Sequence, residues 1–85
     1  MIKIYGKNNC TYCQKAKDLC RQYKLNFTYY PIDQNDEFFS QFMELFPNAK
    51  TVPQIMWDNK PIGGYNELTA EIENLGLGNY GQGDF

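Results

Sequence analysis

Ile2-Lys3-Ile4-Tyr5-Gly6-Lys7-Asn8-Asn9-Cys10-Thr11-Tyr12-Cys13 is the stretch on which the reading of this chain turns. Ile2 and Ile4 alternate with Lys3 and Tyr5, the two-residue period of a strand, and Gly6 to Asn9 supply loop residues directly after it. Beyond Thr11 the period lengthens. Ala16, Leu19, Cys20 and Tyr23 recur at helical spacing, while Lys15, Lys17, Asp18, Arg21 and Gln22 take the opposite face. A strand therefore runs into a loop that carries a cysteine just before a helix.

That position has a chemical consequence. A thiol at the first turn of a helix faces unpaired backbone N–H groups and the positive end of the helix dipole, and both favour thiolate over thiol. Cys10 is the expected nucleophile. Cys13, one turn further in, is close enough to close a small disulfide ring and is the expected resolving thiol. Lowering a thiol pKa from about 8.5 to about 5 raises the thiolate fraction at neutral pH roughly 30-fold, yet costs roughly 25- to 55-fold in intrinsic reactivity. The gain comes later, when Cys10 must depart from a mixed disulfide, because a low-pKa thiolate leaves faster. The alternative use of a Cys-x-x-Cys pair is half a zinc site, which wants four ligands. The chain has no His, and its third cysteine, Cys20, falls on the inward face of the same helix, so a carboxylate would have to complete the set. Cys20 reads as a buried small hydrophobe; its alternative role, a regulatory thiol, would require exposure.

Downstream, Phe27 and Tyr29, with Ile32 beyond, mark a second strand ending around Pro31 to Asp33. Asn35 or Asp36 can cap a second helix bearing Phe38, Phe39, Phe42, Leu45 and Phe46, which Pro47 stops. Pro53 to Trp57 and Lys60 to Ile62 flank the turn-prone Asp58-Asn59 pair as a hairpin, and Gly63-Gly64 breaks the pattern again. Asn66 is the expected N-cap of a last helix with Leu68, Ile72 and Leu75 in register, ended by Gly76. A parallel crossover joined to an antiparallel pair makes a mixed sheet with helices packed on it. The glycine-rich segment from Gly76 to Phe85 is expected to be a flexible tail to a domain spanning residues 1–75.

Eighty-five residues make one small domain with a thin core, and six Phe, seven Tyr and one Trp can fill such a core with few side chains. Net charge is −2 with both signs mixed along the chain, so no basic stripe suits a nucleic-acid backbone. The start lacks a basic, then apolar, leader and no apolar run approaches membrane-spanning length, so the expectation is a soluble, unexported, cytoplasmic protein without a membrane partner. Two cysteines three apart and one left over fit a working redox pair in a reducing compartment better than a structural disulfide framework.

With these segments in place, the sequence resembles the glutaredoxin family, in particular the short bacterial and phage-type dithiol glutaredoxins. The likeness covers roughly residues 1 to 75. It is carried in order by Cys10-Thr11-Tyr12-Cys13, Thr51-Val52-Pro53-Gln54-Ile55, Ile62-Gly63-Gly64-Tyr65 and the helix that follows. The resemblance implies an α/β chain with a thioredoxin fold, a four-stranded mixed sheet flanked by three helices. It implies a glutathione-dependent oxidoreductase that reduces protein disulfides and glutathione mixed disulfides, most simply as a monomer, with ribonucleotide reductase among its protein clients.

The same resemblance implies a cis Val52-Pro53 bond beside Cys10, with the Val52 backbone pairing with the substrate's peptide chain. Lys7 would meet the glycyl carboxylate of glutathione with Lys50 assisting, next to Thr51, and Tyr12 would flank the sulfur. The second carboxylate would sit on the backbone N–H groups around Tyr65, Asn66 and Glu67, where Gly63 and Gly64 permit close approach. The family more often has Ser or Thr followed by Asp where this chain has Asn66-Glu67, so Glu67 reaches one methylene further toward the glutathione amine. The family's commonest active segment has Pro where this chain has Thr11. Some relatives lacking that Pro share an iron–sulfur cluster between two chains, so a bridged cluster stays open as an alternative to a metal-free enzyme. A thioredoxin-like donor recharged by a flavin reductase would need no glutathione site, and Lys7, Thr51 and the Gly63-Gly64-Tyr65 loop argue against it.

Overall fold

The computed structural model describes residues 1–76; the rest of the expected tail to Phe85 lies outside the described residues. Among the described residues the elements follow in the expected order: β1 (Ile2–Gly6), α1 (Thr11–Gln22), β2 (Phe27–Pro31), α2 (Asp36–Leu45), β3 (Gln54–Trp57), β4 (Lys60–Gly63) and α3 (Tyr65–Asn74). The strands form one mixed sheet in the order β2-β1-β3-β4. β1 runs parallel to β2, with Ile4 opposite Tyr29, and antiparallel to β3, with Ile4 opposite Ile55. Asp58 and Asn59 join β3 to β4 at φ 49° and 68°, the left-handed pair that a tight two-residue hairpin turn requires.

β1 is central, so both of its faces are covered. Ile2 and Ile4 meet Ala16 and Cys20 of α1, Ile55, and Leu68 and Ile72 of α3. On the other face Tyr5 meets Phe42 of α2 and Phe46, the helix's C-cap, with Met56, and stacks on Tyr30 at 4.9 Å between ring centroids. The alternation of β1 is therefore not between core and solvent: Tyr5 is 2% exposed. Burial raises its hydroxyl pKa, and the neighbouring Tyr30 adds to the rise.

Local chemistry sets the helix starts. Asn35 rather than Asp36 caps α2, its side chain accepting the Phe38 N–H at 3.1 Å, while Asp36 and Glu37 complement the dipole in the first turn. For α3 the expectation of Asn66 as N-cap is corrected, because the helix starts at Tyr65 with Gly64 as its cap. The reason lies in Glu67, whose carboxylate reaches back three residues to accept the Gly64 N–H at 2.8 Å and so closes the helix two residues earlier. Leu68 and Ile72 face inward as their spacing requires, but Leu75 is 55% exposed, since α3 ends at Asn74 and Leu75 is only its C-cap.

Candidate active site

The loop between β1 and α1 is tied to β2 and the turn that follows it. The Tyr29 hydroxyl donates to the Lys7 carbonyl at 3.2 Å, and the Asn8 N–H donates to the Asp33 carboxylate at 3.1 Å. Burial, then the nearby Asp33, push the Tyr29 pKa up, so its hydroxyl stays a donor. Gly6 at the end of β1 is a packing requirement. A Cβ there would lie 2.7 Å from the Cys13 sulfur and 2.7 Å from the Tyr29 oxygen. The absent side chain is the space into which Cys13 turns, leaving that residue 1% exposed.

Cys10 stands one turn earlier as the N-cap of α1, half-buried at the surface. Its sulfur accepts the Cys13 N–H at 3.1 Å, and no acidic residue occupies the first turn of the helix. The two cysteines are joined as a disulfide with their Cα atoms 5.2 Å apart. Across from them the Val52-Pro53 bond is cis, and the Val52 carbonyl oxygen lies 3.7 Å from the Cys10 sulfur. One sulfur is presented beside an open stretch of backbone, and the other is withheld behind it.

Next to this pair opens a cleft of about 360 Å³. Tyr12 and Tyr65 form part of its lining, their ring centroids 5.6 Å apart, and the Lys15 ammonium lies 4.9 Å from the Tyr12 centroid. Thr51, Val52 and Pro53 line it on the strand side; Gly64, Asn66 and Glu67 line it at the start of α3. The first three N–H groups of a helix have no intrahelical acceptor, so Tyr65, Asn66 and Glu67 present donors at this end. Eight of the ten expected binding residues thus come together. The other two, Lys7 and Lys50, line an adjoining hollow against α2, which shares Thr51 and Val52 with the cleft, and Lys7 also lines a small hollow with Cys10 and Cys13. Gln54 also lines the cleft, with its amide donating to the Thr51 carbonyl at 3.1 Å. Sequence reasoning gave Gln54 no role; its only signal was its place one residue past Pro53.

Cys20 is 0% exposed, as its position on the inward face of α1 led one to expect. Burial pushes its thiol up to about 11 against a weak opposing pull from Arg21, so it is almost wholly protonated at neutral pH. Among the described residues no group of three or more His, Cys, Asp or Glu side chains could share a metal ion. No helix among them is long and apolar enough to cross a membrane.

A family model for glutaredoxins matches residues 2–62. The chain belongs to the glutaredoxin family. Glutaredoxin 3 of Escherichia coli K12 is 36% identical over 76 residues, covering 89% of this chain and 90% of the relative, and glutaredoxin 1 of the same organism is 36% identical over 87 residues, covering 85% and 93%. Among solved structures, glutaredoxin 1 of Francisella tularensis complexed with cacodylate is 31% identical with a TM-score of 0.71, over 87% of this chain and 93% of that one. A buckwheat glutaredoxin–glutathione complex, at 22% identity, shares the fold with a TM-score of 0.76 over 92% and 73%. This glutaredoxin has the thioredoxin-like architecture of the family and is a thiol–disulfide oxidoreductase that works through the Cys10–Cys13 pair, with glutathione as reductant and disulfide-bearing proteins as clients.

Proposed function

We propose that Cys10 is the attacking and leaving sulfur, that Cys13 resolves, and that the cleft between α1, the cis-proline segment and α3 seats glutathione. The observation that carries this reading is the asymmetry of the pair: Cys10 half-exposed, capped by the Cys13 N–H and 3.7 Å from the Val52 carbonyl, against Cys13 at 1% exposure. The Cys10 thiolate attacks one sulfur of a client disulfide; a Cys10–client bond forms and the other client sulfur departs as thiolate. The Cys13 thiol gives up its proton and attacks Cys10, releasing the second client thiolate and closing the Cys10–Cys13 disulfide. One glutathione thiolate then opens that disulfide at Cys10, and a second takes the glutathione from Cys10 as glutathione disulfide. Closing the ring passes two electrons to the client, the two glutathiones together return two, and the departure of Cys10 in the last step is helped by the helix start beneath it.

In the seated mixed disulfide, the Val52 N–H and C=O pair with the backbone of the ligand's cysteine, as in strand addition. Lys7 and Lys50 take the carboxylate at one end. The N–H groups of Tyr65, Asn66 and Glu67 take the carboxylate at the other, Glu67 turns its second oxygen to the ligand ammonium, and Gly64 leaves room for the approach. Tyr12 flanks the sulfur, with Thr51 and Pro53 shaping the strand side. Within this reading the domain spans residues 1–75 and acts as a metal-free, cytoplasmic monomer, with ribonucleotide reductase among its clients. That client and that setting rest on the likeness to short dithiol glutaredoxins and on a redox pair suited to a reducing compartment.

The test is to treat the Cys13→Ser variant with oxidised glutathione and locate the added mass. It should sit on Cys10 alone. Attachment at Cys20 would contradict both the buried reading of that thiol and the role of Cys10.

A further inference from the structure

On the far side of Val52 from the glutathione cleft lies a second hollow, of about 400 Å³, between α2 and the segment leading to Pro53. Its character differs from the cleft's. Ile32, Phe39, Met43 and Val52 give it an apolar lining, and Lys7 and Lys50 stand at its rim. Asp33 is also there, its carboxylate accepting the Asn8 N–H, so the hollow sets two lysines against one acid. Phe39 and Met43 are 48% and 44% exposed, two large apolar side chains on adjacent turns of α2 that the core does not use. Phe42, between them in sequence, is 5% exposed and lines the hollow from the core side, so α2 has one apolar edge in the core and a second left at the surface.

The hollow is continuous with the reaction site. Thr51 and Val52 line both hollows, and the Val52 carbonyl lies 3.7 Å from the Cys10 sulfur. A peptide bonded through its cysteine to Cys10 and paired with Val52 therefore has one end over the cleft and the other over the apolar hollow. Resting on the orientation proposed above, glutathione fills the first but not the second. After its cysteine it has only a glycine, with no side chain, ending in a carboxylate at the lysines. A protein client continues past that point.

We propose that the hollow between α2 and the cis-proline segment is the protein-specific half of the substrate site. It takes an aromatic or long aliphatic side chain at the second position after a client's reactive cysteine, in an extended segment that carries a carboxylate for Lys7 or Lys50. The main chain supplies pairing that any peptide can make, and the apolar pocket supplies the choice between clients. Exchange at Cys10 is unchanged: one client sulfur bonds to Cys10 and its former partner leaves as thiolate.

The test compares two disulfide-bridged peptides that differ only in Phe or Ser at the second position after the attacked cysteine, with a small glutathione mixed disulfide as the third substrate. Native protein should reduce the Phe peptide with a KM about tenfold lower than the Ser peptide. Phe39→Ser combined with Met43→Ser should remove that difference while turnover of the glutathione mixed disulfide stays within about twofold; one tenfold step is about 1.4 kcal/mol of binding. Both side chains are surface residues, and an unchanged melting curve for the variant checks that the fold is retained. Equal KM values for the two peptides on native protein would overturn the proposal, as would a double variant that slows all three substrates alike. A preference that follows the residue before the cysteine would also overturn it, and so would a self-association that the double variant abolishes, since the hollow would then belong to a second copy. Failure of the underlying reading is separable, because it would appear as turnover surviving in the Cys10→Ser protein.

Discussion

Two helices begin at the mouth of one cleft, and they use their unpaired N–H groups in opposite ways. At α1 the cap is the sulfur proposed to react: the Cys10 Sγ accepts the Cys13 N–H at 3.1 Å, and no carboxylate stands in the first turn to compete for the dipole. At α3 the cap is Gly64, whose N–H goes to the helix's own Glu67 carboxylate at 2.8 Å. In the proposed cycle the first start concentrates its favourable field on the sulfur that carries negative charge both when it attacks and when it leaves. The second start is closed by its own acid, and what it offers outward is a set of backbone donors at Tyr65, Asn66 and Glu67. In the proposed reading one helix end does chemistry and the other holds a ligand.

The largest effect separating them is expected at α1. Cys10→Ser should leave no measurable turnover of either protein disulfides or glutathione mixed disulfides, because a serine alkoxide neither forms nor leaves under these conditions. Cys13→Ser should keep the glutathione mixed-disulfide reaction, which needs only Cys10, and lose protein disulfide reduction. Coupled assays with glutathione and its reductase measure both. Turnover surviving in Cys10→Ser would move the reacting atom away from the α1 start.

A middle-sized effect is expected where α3 is entered. Gly63 has φ +114°, and a Cβ there would lie 2.8 Å from Cγ of Glu67, on the residue that closes the cap. Gly63→Ala should cost about 1–2 kcal/mol from the backbone conformation alone, which for a domain this small lowers the melting temperature by roughly 4–8 °C per kcal/mol. With Glu67 displaced, the donors of α3 tilt, so KM for glutathione should rise several-fold while Cys10 alkylates at its native rate. Alkylation slowed as much as binding would mean that the two helix starts are not independent parts.

How much of this could be read without coordinates differs between the same two regions. The α1 start was legible because three local signals agree: alternation in β1, loop residues 6–9, and helical spacing from Ala16 to Tyr23. Cys20 on the inward face followed from that spacing. The α3 start was misread by two residues because Asn66 is the better capping residue by type, whereas the choice was made by Glu67 reaching back and by the turn at Gly63, a tertiary and conformational matter. The second covered face of β1 was hidden for a similar reason, since Tyr5 and Tyr30 look amphipathic until α2 lays Phe42 and Phe46 over them. The segment around Val52 became legible only through family resemblance; nothing in the local pattern around Pro53 distinguishes a cis from a trans bond. That Lys50 lines the α2 hollow and not the cleft, and that Lys7 lines both that hollow and a smaller one with Cys10 and Cys13, depends on packing that spacing along the chain does not encode.

The smallest expected effect is the most discriminating, because the proposed reading asks Glu67 to serve both the α3 cap and the ligand. Its Oε1 is held by the Gly64 N–H, so only the remaining oxygen can meet an ammonium group. Glu67→Gln keeps an acceptor in the capping position, a residue type that the capping box tolerates, and should change stability by no more than a few tenths of a kcal/mol. Glu67→Ala removes the acceptor and should cost about 1 kcal/mol. If the carboxylate also contacts the glutathione ammonium, an exposed ion pair worth about 0.2–1 kcal/mol is lost equally in both variants, raising KM by roughly 1.4- to 5-fold. Urea unfolding and glutathione kinetics on the two proteins therefore divide the residue's work. A Gln variant with native stability and native KM would make Glu67 a cap alone, and the ligand side of α3 would consist of backbone.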